Sequence, residues 1–278
     1  ARDNRSFYMN WGFVPVTDER CRLMMPGYQG ETGCQMYVHL IEASMTPLLG
    51  YRPASIVNAW TGKRTLEVGC GRCAGSNYIA THMGSHHTGL DLVEGQLAIC
   101  RAAVKNPTTQ FVQGSAVSLP FDSNSFDLVI NVESSHTYPS WRRFACHVHR
   151  VLRPGGVFAW TDLAGINLGL NPNNTAVGSG AGKECCGFAL VRRVLSMLRT
   201  IGFTVYAQQD LLMNVLLSLE YESTLTYGGA AWAAGHNEFN SLPGSVGWTT
   251  LVETNRHYPM VISTKNHTTD AALSASLC

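Results

Sequence analysis

A short apolar strand pattern, Thr65–Val68, runs straight into glycines at 69 and 71, and an acid, Asp91, closes the next strand pattern 20 residues after Gly71. Glycines at a strand end permit a tight turn and let the backbone approach a ligand with no Cβ in the way. An acid at that distance can accept hydrogen bonds from both hydroxyls of a ribose. The surroundings repeat the same alternation. Helical spacing over Ser76–Met83 leads to a strand over His87–Leu92, a helix over Gly95–Val104 and a strand over Gln110–Val112. A strongly β run, Phe126–Val132, precedes an amphipathic Trp141–Leu152; Arg153-Pro-Gly-Gly turns the chain into a fifth strand, Val157–Thr161. Strands alternating with helices of about ten residues predict a parallel sheet with helices on both faces.

Outside this region the pattern is thinner. Residues 1–31 read as irregular, followed by a helix over Met36–Leu49. Ala164–Gly187 is rich in Gly and Asn and reads as a lid or surface loop. A helix over Phe188–Ile201, a strand over Thr204–Gln208, a helical Asp210–Tyr227 and a last strand over Tyr258–Thr264 complete the chain. The expected class is α/β, a Rossmann-like doubly wound sheet in one domain: cap 1–60, core 61–163, lid and insertions 164–257, final strand 258–265 and tail 266–278.

The 278 residues carry 20 Lys+Arg against 19 Asp+Glu, and only 14% are charged, below the ~25% of ordinary soluble domains. No basic excess is present to neutralise phosphates, which argues against a nucleic-acid partner. No apolar run is long enough to span a membrane. The first residues are too polar for a signal peptide, so a cytoplasmic location with the nine cysteines reduced is expected. Cys70 and Cys73 form a C-x-x-C. No second ligand pair stands at zinc spacing, so lining of the glycine turn is preferred over a metal or redox role, and no metal is expected. The three Asn-x-Ser/Thr matches, at Asn4, Asn173 and Asn266, are common by chance.

The turn reads Glu67-Val-Gly-Cys-Gly-Arg-Cys-Ala-Gly75. Dinucleotide sites usually read G-x-G-x-x-G and seat a pyrophosphate on a helix N-terminus. An acid beside such a turn is costly for a pyrophosphate. It is tolerable for S-adenosylmethionine (SAM), which has an ammonium, a carboxylate and a sulfonium but no phosphate. The alternatives are structural: a salt bridge for Glu67 and a strand-end turn acid for Asp91.

These residues resemble a class I SAM-dependent methyltransferase. RTLEVGCGRCAG, HTGLDLVEGQL, FVQGSAVSLPFDSNSFDLVINVESSHTYPS and RVLRPGGVFAWTDL are similar to that family's successive motifs. NVESSHTYPS, with the earlier FYMNWGF and QMYVHLIE, resembles the small-molecule branch that includes phthiotriol/phenolphthiotriol dimycocerosate and natural-product sugar O-methyltransferases. The resemblance implies that Glu67, Gly69, Cys70, Gly71 and Gly75 surround the methionine part of SAM. Asp91 would bind the ribose, Leu92 would pack on the adenine, and Ser115 and Ala116 would lie beside the adenine amine. Ser115 stands where the family usually has Asp, so a side-chain contact is weakened there. Asn131 would end the fourth strand beside the SAM amino group. Cys73 replaces a usual glycine, a tolerable change at negative φ. Tyr8 and Trp11 would fold over the cofactor, and Gln35 and Tyr37 would reach it.

Methyl transfer to a hydroxyl needs an aligned nucleophile and a proton acceptor, and a histidine suits the second task near pH 7. His136 leaves the fourth strand and Asp162 ends the fifth; in a parallel sheet both emerge at the carboxyl edge. The resemblance makes His136 the general base and Asp162 its partner. A loop histidine bonded only to backbone and a structural acid are the alternatives. Glu133 could face SAM or the substrate, or be structural. His86-His87 reads as a solvated turn, and His147 and His149 as surface residues on different helix faces. Phe13, Trp160, Trp232 and Trp248 read as core.

The expected function is transfer of a methyl group from SAM to a hydroxyl of a small, largely apolar natural product. An N- or C-methyltransferase is the rival, and a non-catalytic SAM-fold binding subunit a more distant one. The acceptor is unreadable, and homo-oligomerisation is left open.

Overall fold

The computed structural model describes residues 10, 12–24, 30–50, 60–162, 188–218 and 258–267. In chain order the elements are α1 (Glu19–Met24), α2 (Gly30–Leu49), β1 (Arg64–Val68), α3 (Ala74–His82), β2 (His86–Asp91), α4 (Glu94–Ala103), β3 (Thr109–Gln113) and β4 (Phe126–Val132). A 3₁₀ turn over Ser135–Thr137 then leads to α5 (Trp141–Val151), β5 (Leu152–Thr161), α6 (Phe188–Ile201), β6 (Phe203–Asp210) and β7 (Pro259–Lys265). The strands form one sheet in the order β3-β2-β1-β4-β5-β7-β6. The first five pair in parallel, and β7 pairs antiparallel with both β5 and β6. This is the Rossmann-like, mostly parallel sheet expected from the alternation, with its antiparallel last strand. Strand order reverses between β1 and β4, and ligands of such sheets bind beyond the carboxyl ends at that point.

The central strands are apolar because both faces are covered. All seven residues of β4 are buried, as are Thr65–Val68 of β1, which is why they lack a polar–apolar alternation. One core layer joins Met36, Leu40 and Ile41 of α2 to Tyr78 and Ile79 of α3 and to Leu128 and Ile130 of β4. The other joins Trp141, Phe144 and Val148 of α5 to Val194 and Leu198 of α6 and to Phe158 and Trp160 of β5. Ser140 caps α5, its hydroxyl accepting from the Arg143 N–H, so the helix starts where the loop from β4 needs it to.

Several expectations are corrected. The irregular N-terminus contains α1, pinned to α2 by a Cys21–Cys34 disulfide. Cys146 is also disulfide-bonded, while Cys70, Cys73 and Cys100 are free and buried; the thiols are therefore not uniformly reduced. His87 is not a solvated turn residue. It is 1% exposed, with Nδ1 at 2.8 Å from Thr65 Oγ1 and Nε2 at 2.9 Å from Ser76 Oγ, and burial pushes its pKa down to about 3. His149 is buried edge-on against Phe203 rather than solvated. Asp210 ends β6, and helix follows over 212–218. Phe13 and Trp160 are core. The readings placed on residues 163–187 and 219–257, on Tyr8, Trp11, Trp232 and Trp248, on Asn4 and Asn173, and on Cys185, Cys186 and Cys278 lie outside the described residues. Among the described residues, no helix is long and apolar enough to cross a membrane.

The Cys21–Cys34 link closes a segment with a sequence separation of 13. In the chain-entropy view its removal costs about 3 kcal/mol. Cys21→Ser/Cys34→Ser protein is expected to unfold at lower urea concentration than wild type, and non-reducing peptide mapping that finds both thiols free would refute the pairing.

Candidate functional site

The turn after β1 is shaped by what β2 offers it. Gly69 and Gly71 have φ of 77° and 51°, the left-handed region that glycine enters without strain. The N–H groups of Gly69 and Cys70 both donate to Leu90 O, at 2.8 and 3.0 Å. The Gly71 N–H donates to Asp91 Oδ2, and the Val93 N–H to Asp91 Oδ1, each at 2.9 Å. One carboxylate thus sets two turns at the carboxyl edge. A Cβ on Gly69 would come within 2.4 Å of Ser134 Oγ, and one on Gly75 within 2.1 Å of the Tyr37 ring. Both glycines are required by packing, and Gly69 by its backbone conformation as well. Cys73 corrects an expectation: its φ is 64°, left-handed, at the N-cap of α3 and without a side-chain capping bond.

Above this turn lies a cleft of about 650 Å³, within the ~300–1,000 Å³ of small-molecule sites. Gly69, Cys70, Gly71, Gly75, Asp91, Leu92, Ser115 and Ala116 all line it. Leu92 is 67% exposed, an apolar platform at the cleft wall. Tyr37 lines the cleft as well, and Tyr8 lies outside the described residues.

Glu67, Asn131 and Gln35 do not line the cleft; they brace it from behind. Glu67 is 1% exposed and accepts from Tyr37 OH at 2.6 Å and from Ser76 Oγ at 2.5 Å. Burial pushes its carboxyl up to about 7, against the lowering effect of those two hydrogen bonds. Asn131 Nδ2 has three acceptors: Val68 O at 2.8 Å, Ser134 Oγ at 2.7 Å and Tyr138 OH at 3.0 Å. Gln35 Oε1 accepts the N–H groups of Thr17 and Asp18, at 2.9 and 3.0 Å, and so clamps the N-terminal segment to α2.

His136 lines the cleft, and Asp162 is fully buried beside it. His136 Nδ1 lies 2.7 Å from Asp162 Oδ1. A carboxylate only accepts, so Nδ1 carries the hydrogen and Nε2 keeps its lone pair. Asp162 Oδ2 takes two more donors, Ser135 Oγ at 2.5 Å and the His136 N–H at 3.0 Å. Trp160 Nε1 donates to Ser135 Oγ at 2.8 Å, which orients that hydroxyl. Burial lowers the His136 pKa, but the hydrogen bond to Asp162 and its charge outweigh it, and the net shift is upward.

Some cleft residues were not anticipated from the sequence. Asn10, Arg72, Ser134 and Tyr138 line it. Ser134 and Tyr138 hydrogen-bond each other at 2.8 Å, and Ser134 donates to Val68 O at 3.2 Å. Their signal was the run of hydroxyl residues in NVESSHTYPS, too common a composition to single out. Glu133 also lines the cleft, at φ 46°, and its carboxylate accepts from the Tyr258 hydroxyl. That Tyr lies 125 residues away in sequence with no local pattern to announce it.

The charges in the cleft suit SAM. Asp91 and Glu133 bring carboxylates and Arg72 a guanidinium to the cleft lining, a mixed set that matches a ligand with two cationic groups and one carboxylate. Residues 66–160 match the family model described as a methyltransferase domain. The chain is 48% identical over 121 residues to a phthiotriol/phenolphthiotriol dimycocerosates methyltransferase of Mycobacterium leprae, covering 43% of this chain and 44% of that protein. It is 50% identical over 102 residues to a fatty-acid O-methyltransferase of Mycolicibacterium smegmatis, covering 36% and 37%. The matched segment thus spans less than half the length of either relative. Among solved structures, geranyl diphosphate C-methyltransferase from Streptomyces coelicolor A3(2) superimposes with a TM-score of 0.58 at 17% identity, covering 92% of this chain and 89% of its own. The [4+2]-cyclase SpnF does so with a TM-score of 0.61 at 18% identity, covering 93% of this chain and 88% of its own. These two likenesses concern the fold alone. Matched motifs, fold and cleft agree: residues 66–160 of this chain form a SAM-dependent methyltransferase domain.

Proposed function

We propose that the chain is an O-methyltransferase, with His136 as general base and Asp162 as its orienting partner, acting on a hydroxyl group of a small, largely apolar molecule. The observation that carries this reading is the His136–Asp162 hydrogen bond of 2.7 Å, with the imidazole on the cleft wall and the carboxylate behind it. When bound, SAM supplies an electrophilic methyl group on a sulfonium. Gly69, Gly71 and Gly75 would let the backbone approach its methionine part, Asp91 would hold the ribose hydroxyls, and Leu92 and Ala116 would pack on the adenine. Ser115 contributes a hydroxyl there. The Nε2 lone pair of His136 accepts the acceptor's proton as its oxygen becomes nucleophilic, and Asp162 stabilises the imidazolium that results. The low overall charge agrees with an apolar acceptor, as do lipid and fatty-acid relatives. The [4+2]-cyclase SpnF has the same fold, so the reading rests on the His–Asp pair and not on architecture.

Four outcomes test it. His136→Ala is expected to lower kcat by about 10²–10⁴-fold while S-adenosylhomocysteine (SAH) binds within a few-fold of wild type by calorimetry; near-wild-type turnover would exclude His136 as base. Because Asp162 raises the His136 pKa, the neutral base is lost as pH falls through a value above the ordinary 6.5. The kcat/KM profile should therefore rise with pH through a midpoint above 6.5, and Asp162→Asn should move that midpoint down. Asp91→Ala should weaken SAH binding by about 10–100-fold, the range of one or two hydrogen bonds to a charged group. For the acceptor, methyl incorporation into a long-chain alcohol or phenol, a long-chain fatty acid and a long-chain amine should favour the oxygen nucleophiles. Methylation of the amine alone would sink the O-transfer reading.

A further inference from the structure

The turn that shapes the cleft stands on three thiols that the reading above does not use. Cys70, Cys73 and Cys100 are free and buried, and they form one small cluster with Ala80, Leu97 and Val104. Two of them belong to the turn and the third to α4. Cys100 Sγ donates to Gly71 O at 3.3 Å, so the third thiol packs directly against the turn that carries the other two. Cys73 sits in left-handed backbone, where glycine would be free of strain and a cysteine is not. Cys70 is 5% exposed and faces the cleft, which gives a small oxidant a way in. Among the described residues no group of three or more His, Cys, Asp or Glu side chains is arranged to hold a metal ion.

We propose that Cys100 and one of the two turn cysteines form a thiol-oxidation site, closed to a disulfide by a peroxide or a low-molecular-weight disulfide, and that closure disables the cofactor cleft. With hydrogen peroxide the balance is simple. Two thiols give up two protons and two electrons, one sulfur–sulfur bond forms, the oxygen–oxygen bond breaks and two waters leave. The attacking thiol must first give up its proton, since a thiolate is the reactive form. A disulfide of ~2.05 Å is far shorter than a contact between unbonded sulfurs, so closure drags the turn toward α4. The Gly71 N–H to Asp91 Oδ2 bond and the paired bonds to Leu90 O cannot all survive that shift. The effect on the cleft rests on its reading as a SAM site; the disulfide itself does not.

The test uses the full chain. Calorimetry with SAH is run on reduced protein, on protein treated with hydrogen peroxide, and on treated protein returned to mild dithiothreitol, with peptide mapping at each stage. Peroxide is expected to give a Cys70–Cys100 or Cys73–Cys100 disulfide and to weaken SAH binding at least 10-fold, reversibly. Cys100→Ser, which lies outside the cleft lining, should bind SAH as wild type does and ignore peroxide. Should that variant fold poorly, wild-type protein pre-loaded with SAH serves instead, since cover over Cys70 should slow disulfide formation. A Cys70–Cys73 link, no disulfide at all, or unchanged SAH affinity with a Cys100 disulfide in place would each overturn the proposal. Reduced protein that fails to bind SAH would instead sink the cofactor reading, while the mapping judges the thiol site by itself.

Discussion

One buried carboxyl group, Glu67, holds the layers of this molecule in register beneath the cleft. It lies inside β1, takes a hydroxyl from α2 through Tyr37 and another from α3 through Ser76. Ser76 in turn meets His87 of β2, and His87 meets Thr65 of β1. The burial that raises the Glu67 pKa to about 7 is the cost of this arrangement, and the two short hydroxyl bonds partly offset it. Loss of the carboxyl would orphan two buried donors at once, each worth about 1–3 kcal/mol. Glu67 does not line the cleft, but it sets the Tyr37 ring, which does. That ring is the reason position 75 cannot carry a Cβ.

The other side of the cleft follows the same plan, with buried groups aiming exposed ones. Asp162 is enclosed, takes three donors and presents His136. Asn131 is enclosed and ties Ser134 and Tyr138 to the end of β1. Glu133 accepts from Tyr258, so the residue just before the last strand supports a cleft wall that comes from the first half of the chain. A constellation built this way keeps its geometry because the supporting groups have no water to exchange with.

Much of the fold was legible in the sequence because parallel sheets impose local patterns. Apolar runs such as Phe126–Val132, broken by glycine turns and followed by amphipathic stretches such as Trp141–Leu152, have few other solutions. The cleft was legible because its residues sit at strand ends, where order along the chain fixes neighbourhood; His136 and Asp162 are 26 residues apart and still adjacent for that reason. What stayed hidden depends on partners set by tertiary packing. Nothing local distinguishes a histidine buried between Thr65 and Ser76 from a solvated one. The Cys21–Cys34 pairing required knowing that a short helix precedes α2. The roles of Glu67, Asn131 and Gln35 required knowing which side of the turn each one occupies, and the left-handed conformation of Cys73 cannot be read from a residue that usually avoids it.

The antiparallel entry of β7 between β5 and β6 has a consequence for how such a chain can diversify. Asp210, at the end of β6, pairs with Pro259, at the start of β7, so the chain leaves and re-enters the sheet at a single point on the carboxyl edge. The register of β6 against β7 is set by the two strands and by the Leu211 N–H bond to Tyr258 O, not by the sequence that joins them. Change in that joining sequence is therefore separate from the glycine turn and the His–Asp pair, which stay under a stricter set of constraints.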